Sequence, residues 1–220
     1  MKHSIFISRN LSEDSILLSY LQENNWEIHH QSLIEIKPIP FKIDHKTDWI
    51  FISSSNGARI LFEDYLPGST IKIGAVGKAT ANTVRSFRLE PSFIGETGDM
   101  YEVGRHFGPV LADRAVRFYG AEAGSEILRS ELPNEQVSFT PIYRTELITD
   151  IELPKTEYVF LTSPSNAKAY LHNTSIEDKL IIAIGNTTAK YLASQGSTNV
   201  HIPTDPTEEH VIGLLHRFTH

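Results

Sequence analysis

Hydroxyl side chains recur at four points where a β-branched run gives way to a helix-forming run. Gly185-Asn186-Thr187-Thr188 follows Ile181-Ile182-Ala183-Ile184, and Gly77-Lys78-Ala79-Thr80 follows Ile73-Gly74-Ala75-Val76. Ser53-Ser54-Ser55 follows Trp49-Ile50-Phe51-Ile52, and Ser163-Pro164-Ser165 follows Tyr158-Val159-Phe160-Leu161-Thr162. A buried strand, a tight turn and a helix start, in that order, leave the first backbone amides of the helix unpaired at the positive end of its dipole. Such a terminus holds an anion, and the threonines and serines add hydroxyl donors.

Other chemistries are poorly provided for. With no cysteine, thiolate zinc sites, disulfides and cysteine nucleophiles are excluded. The ten histidines are scattered and none is assigned a catalytic role; His29 and His30 are adjacent in extended chain, so they point to opposite faces. No H-E-x-x-H and no spaced Asp/Glu/His cluster points to a metal, and none is expected. Gly74-x-x-Gly77-Lys78 has Lys72 where a phosphate loop needs glycine and Ala79 where it needs Ser or Thr. The dinucleotide pattern G-x-G-x-x-G is missing, and no cofactor is expected. Without G-x-S-x-G, the serines read as helix caps or ligand contacts in preference to nucleophiles. A net charge of −7 argues against non-specific nucleic-acid binding, which needs basic surface, but leaves room for an anionic small ligand on backbone amides.

The four stretches belong to a repeat. Ala-β-branched-Gly-x-x-Thr-Ala occurs at Ala75 and again at Ala183, and Trp49–Ser55 is echoed by Tyr158–Pro164. The offsets agree, 109 between Phe51 and Phe160 and 108 between Gly77 and Gly185. Glu96-Thr97-Gly98-Asp99 and Pro206-Thr207-Glu208-Glu209 each open a third helix, with Thr97 and Thr207 as caps. Two half-molecules of one βα design are expected.

The chain in order supports that plan. Ser4–Ser8 reads as a strand, and Ser12 as the cap of a helix to about Asn24. Trp26 to about Ile43 is extended and broken by Pro38 and Pro40, a connecting ribbon more than a core strand. Strands are expected at Trp49–Ser53, Ile71–Val76, Pro91–Ile94, Ala115–Tyr119 and Gln136–Tyr143. Between them lie helices, one with Ala58, Leu61, Phe62 and Tyr65 on one face and one with Val103, Phe107, Val110 and Leu111. Arg144–Lys155 reads as a second ribbon. Strands near Tyr158–Leu161, Leu180–Ile184 and Asn199–Ile202 follow, then a helix with Val211, Leu214, Leu215 and Phe218 on one face. Three strands are few for a sheet, and the N-terminal strand and helix complete it. The expected fold is α/β, with two similar doubly wound parallel-sheet domains joined by a two-stranded linker. One is discontinuous, 1–37 plus 147–220, and the other, 38–146, is inserted. The ligand site is expected in a cleft between them, outside the carboxyl ends of the strands.

With these blocks in place, the chain resembles the uroporphyrinogen-III synthase family over nearly its whole length. The resemblance rests on Arg9 after the first strand, Ser32-Leu33-Ile34-Glu35-Ile36-Lys37-Pro38, Trp49–Asn56, Val76-Gly77-Lys78-Ala79-Thr80-Ala81, Pro141-Ile142-Tyr143-Arg144-Thr145, Phe160–Ser165 and Ile184–Ala189. It implies a cofactor-independent hydro-lyase of tetrapyrrole biosynthesis, acting on the linear tetrapyrrole hydroxymethylbilane. Loss of water from the hydroxymethyl group gives an azafulvene, and the last pyrrole ring is inverted through a spirocyclic intermediate on closure. Because the substrate closes unaided to the uninverted isomer, the protein's task is chiefly to fix one conformation. Tyr143 matches the family tyrosine that faces the cleft and is the catalytic candidate, as a hydrogen-bond donor to the departing hydroxyl. Arg9, Ser54, Thr80, Ser163, Ser165, Thr187 and Thr188 are the substrate-binding candidates. One loop departs from the family, which has Arg-Gly where Tyr119-Gly120 stands. The competing reading is a non-catalytic two-lobed module that binds an anionic metabolite. The N-terminus runs straight into a strand with no signal peptide, and no apolar run is long enough for a bilayer, so a cytoplasmic protein without membrane partners is expected. No coiled coil or long apolar edge points beyond a monomer.

Overall fold

A computed structural model describes residues 2–96, 100–124 and 126–219. The chain divides into two compact units, Met1–Glu35 with Glu146–His220, and Ile36–Thr145. The division falls at 35/36 and 145/146, where the sequence puts it at 37/38 and 146/147. Both points lie inside paired strands, so no loop marks them in the sequence.

The first unit is built on β1 (Ser4–Ile7), β2 (Glu27–His30), β9 (Tyr158–Leu161), β10 (Leu180–Ala183) and β11 (Val200–His201), in the order β11-β10-β9-β1-β2. All neighbouring pairs are parallel. Its helices are α1 (Ile16–Glu23), α6 (Pro164–Asn173), α7 (Asn186–Ser194) and α8 (Glu208–Thr219). In a strand, alternate residues face opposite sides. Accordingly Tyr158 and Phe160 join Ile5, Ile7 and Ile182 under α1 and α8, while Val159 and Leu161 join Phe6, Ile181 and Ala183 under α6 and α7.

The second unit carries β4 (Trp49–Ile52), β5 (Lys72–Ala75), β6 (Phe93–Ile94), β7 (Val116–Ala121) and β8 (Val137–Leu147), with β3 (Ile34–Pro38) beside β8. The order is β3-β8-β7-β4-β5-β6, parallel from β8 to β6. Its helices are α2 (Ser55–Asp64), α3 (Lys78–Ser86), α4 (Met100–Leu111) and the short α5 (Glu126–Ser130). Ile50, Ile52, Ile73 and Tyr119 pack under α2 and α3, and Trp49, Phe51, Val116 and Phe118 under α4 and α5. Phe51 is fully buried with the Phe107 and Phe118 rings centred 4.8 and 5.0 Å away. Opposite it stands Gly74, where a Cβ would lie 2.5 Å from the Phe51 ring.

Counted from β4 and from β9, both parallel sheets read 3-2-1-4-5. The first unit is therefore the design of the second with its last two strands carried at the N-terminus of the chain. This explains why the sequence repeat spans three strands and then stops.

Several sequence expectations need correction. Glu27–His30 is an edge strand of the first sheet and not part of a ribbon; its half-exposed pattern hides it. The strand expected to end at Tyr143 continues to Leu147, so the second ribbon begins as strand. There β3 and β8 pair antiparallel, since Ile39 N donates to Ile142 O and Ile148 N to Leu33 O. Helix α1 is capped by Ser15, not Ser12: the Ser15 hydroxyl accepts from Leu18 N at 3.1 Å. Val110 is 43% exposed, while Val103, Phe107 and Leu111 are buried as expected. Thr97 lies outside the described residues.

Candidate functional site

In open parallel sheets ligands sit beyond the carboxyl ends of the strands, where the strand order reverses. That point is β4/β7 in the second unit and β1/β9 in the first. Four of the helices that start beyond carboxyl ends follow the first two strands of each repeat, α2 and α3 in one unit and α6 and α7 in the other, two capped and two uncapped.

The capped helices are α2 and α6. Ser54 Oγ accepts from Gly57 N at 3.0 Å and Ser163 Oγ from Asn166 N at 3.1 Å, both serines extended. Ser163 also receives Asn166 Nδ2 at 3.1 Å, and Asn166 Oδ1 accepts Leu33 N at 2.8 Å. Ser54 instead meets the Tyr143 hydroxyl at 2.8 Å. Thus the structure brings Ser54 and Tyr143 together, although 89 residues separate them. Tyr143 is 5% exposed; burial raises its phenol above the ordinary tyrosine range, and the bond to Ser54 pulls it partly back. The phenol stays protonated throughout the neutral range.

Helices α3 and α7 are uncapped. Each begins after a glycine in extended conformation, Gly77 (φ −175°, ψ 177°) and Gly185 (φ −173°, ψ 178°), and neither has a side-chain cap. Their first amides therefore have no side-chain acceptor, which is the condition for an anion site. The third residue of each is a threonine, Thr80 at 4% exposure and Thr188 at 2%. Among the described residues neither hydroxyl has a hydrogen-bond partner. Thr187 beside Thr188 is exposed and Ser165 on α6 is half-buried.

Arg9 is differently placed. Its guanidinium pairs with Glu208 and lies over the Phe160 ring, 5.9 Å from the centroid. The other Glu208 oxygen accepts Ser15 Oγ at 2.9 Å and Leu17 N at 3.0 Å, which ties the starts of α8 and α1 together. At the β1/β9 switch, Thr162 N donates to Ser8 Oγ at 2.9 Å and Thr162 Oγ1 to Ser8 O at 3.0 Å, with Ser8 fully buried. Thr207 starts α8 with its hydroxyl 2.8 Å from His210 Nδ1. Sequence reading overlooked Asn166, Gly57 and Glu208; the first two were within reach, since they occupy one repeat position 109 apart.

Among the described residues no cluster of three His, Asp or Glu side chains is arranged to hold a metal ion, and no helix is long and apolar enough to cross a membrane.

Comparison with known proteins gives one family. The model of uroporphyrinogen-III synthase HemD matches residues 16–213. The crystal structure of uroporphyrinogen-III synthetase from Helicobacter pylori 26695 is similar, with a TM-score of 0.71 at 20% identity over 99% of this chain and 100% of that one. A mutant uroporphyrinogen III synthase from the extremely thermophilic bacterium Thermus thermophilus gives a TM-score of 0.66 at 13% identity over 99% of each chain. No curated protein sequence matches the chain significantly. At these identities the structures speak for the fold, and the family model speaks for the family.

Proposed function

The chain belongs to the uroporphyrinogen-III synthase family, and from that premise we propose how its own residues perform the family's reaction. It is an enzyme, a hydro-lyase of tetrapyrrole biosynthesis whose substrate is a tetrapyrrole. In the proposed mechanism that substrate is hydroxymethylbilane, a flexible polyanion, and the protein selects one conformation of it before closure.

The uncapped starts of α3 and α7 take substrate carboxylates through their first amides, with Thr80 and Thr188 adding hydroxyl donors. Thr187 and Ser165, at the second position of their helices, offer further hydroxyl donors to carboxylates. Ser163 contributes its helix start more than its hydroxyl, which already accepts two bonds. Arg9 adds a cationic contact only in so far as it shares its guanidinium with Glu208. Charge-assisted bonds of this kind contribute about 1.5–3 kcal/mol each, so a handful suffices to hold a floppy ligand against its conformational entropy.

Tyr143 donates to the hydroxymethyl oxygen as its C–O bond breaks. The oxygen leaves as water, the pyrrole nitrogen supplies the electron pair that forms the azafulvene, and its N–H proton balances the one Tyr143 gives up. Because the substrate loses water unaided, the tyrosine's contribution sits at the low end of general-acid catalysis, about 10²-fold.

The match of the family model over 16–213 carries this reading. It is tested by supplying porphobilinogen and its deaminase, adding the 220-residue chain, and resolving the products. The expected result is type III isomer rising with protein concentration. Type I alone at every concentration overturns it. The same reading has the protein acting as a cytoplasmic monomer without nucleic acid; of the four outer strands, β6 and β11 are only two residues long and β2 and β3 only four and five. Light scattering on the eluting peak checks the mass against 24.8 kDa.

A further inference from the structure

The two units place one serine at the same point and use it differently. Ser54 and Ser163, 109 positions apart, each cap the helix after the first strand of the repeat. Three residues on, the units diverge. Asn166 folds its amide back, so that Nδ2 donates to Ser163 Oγ and the serine oxygen accepts two bonds. Gly57 at the matching position has no side chain, and a Cβ there would lie 3.3 Å from Ser54 Oγ. Here the second partner of the serine is the Tyr143 hydroxyl.

A serine hydroxyl has one proton and two lone pairs. Gly57 N–H occupies one lone pair of Ser54, and among the described residues the only other partner of that hydroxyl is Tyr143. We propose that Ser54 donates to the Tyr143 oxygen, and that Ser54 and Gly57 are positioning residues that hold this oxygen and turn the phenol proton outward toward substrate. The inference rests on Tyr143 being the donor to the departing hydroxyl. Hydrogen bonds in series polarise one another, so accepting from Ser54 makes Tyr143 a better donor. An asparagine at position 57, placed as Asn166 is in the first unit, would abolish the arrangement, because its amide would take the place of the phenol on Ser54. The duplicated cap is thus sealed in one unit and open to chemistry in the other.

Four variants of the whole chain test this, each assayed for type III rate, isomer ratio, KM and Tm. Ser54→Asp keeps a good helix cap but offers only acceptor oxygens, so the phenol proton turns inward. The expected result is a fall of about tenfold or more in kcat at unchanged KM and Tm, with more type I product. In protein carrying 13Cζ tyrosine, the Tyr143 titration should move to higher pH than in the wild type, without substrate present. Ser54→Thr restores both cap and donor and should restore kcat, whereas Gly57→Asn should lower it as Ser54→Asp does. Wild-type kcat and isomer ratio in Ser54→Asp, or a slow Ser54→Thr protein with normal Tm, overturns the inference. Tyr143→Phe separates the two claims. If it is impaired while Ser54→Asp is not, only the serine's role is lost; if it is unimpaired, the donor role of Tyr143 fails as well.

Discussion

Thr80 and Thr188 are 4% and 2% exposed as residues, yet their hydroxyls have no protein partner among the described residues and are left to solvent or to a ligand. A helix-capping threonine would lose stability on replacement by valine, about 1 kcal/mol. These two should not. Thr80→Val and Thr188→Val keep shape and branching, so Tm is expected to hold or rise, while each lost bond to a carboxylate raises KM about 10-fold or more. A fall in Tm with unchanged KM would make them caps and nothing else. Both positions were legible from the sequence because they repeat within a short motif. The partners of Ser54, Ser163 and Arg9 were not legible. Tyr143 lies 89 residues from Ser54, and Glu208 lies 199 from Arg9, and such pairings exist only after the sheets are assembled. Arg9 illustrates the cost, since its type and place suggested a substrate contact and the structure gives it a carboxylate.

The elements that hold these residues were read well where apolar periodicity was strong and poorly where it was weak. The helices of Ala58 to Tyr65 and Val211 to Phe218 and the strands of the repeat stand where the pattern put them. The segment 39–48 had no periodicity to read. It lies on the α2 side of the second sheet, Phe41 and Ile43 packing on that core, with Phe41 6.1 Å from the Tyr119 ring. An ion pair pins it, Arg117 Nη2 to Asp44 Oδ2 at 2.6 Å, while Arg117 Nη1 donates to Thr140 Oγ1 at 3.0 Å. The Lys46 amide, helped by Arg117, holds the Asp44 carboxyl below its ordinary 3.8. A depressed folded value means the contribution is complete above 3.8 and fades as the pH falls through the lower folded value. Asp44→Asn should therefore lower Tm at neutral pH, and the gap from wild type should close only in acid below about 3.8; a gap independent of pH would show that charge plays no part. On β5, Gly74→Ala should cost about 1–3 kcal/mol in denaturant unfolding, because its methyl would enter the Phe51 ring of β4 and neither β4 nor β5 can retreat from a sheet paired on both sides. A neutral Gly74→Ala would mean that the Phe51 ring has room to turn.

For the whole chain, the same 3-2-1-4-5 sheet is made in two ways, and the difference has consequences for folding. Residues 36–145 are contiguous, and both faces of their sheet are covered by helices from the same segment. The other sheet takes its centre from a distant stretch, since β1 sits between β9 and β2 and is followed by 150 residues before β9 begins. Closing so long a loop costs little in entropy, because the cost grows only with the logarithm of length, but nothing in 146–220 replaces the strand itself. Without 1–35, β9 would be an edge, and Phe160 and Tyr158 would lose Ile5, Ile7, Leu17 and Leu21 from their core. Segment 36–145 produced alone is therefore expected to unfold cooperatively in urea with dispersed amide resonances. Segment 146–220 should stay unfolded or aggregate until 1–35 is supplied, when strand β1 completes the sheet. An unfolded 36–145, or a folded 146–220, would mean that stability is not divided along the lines of the two cores.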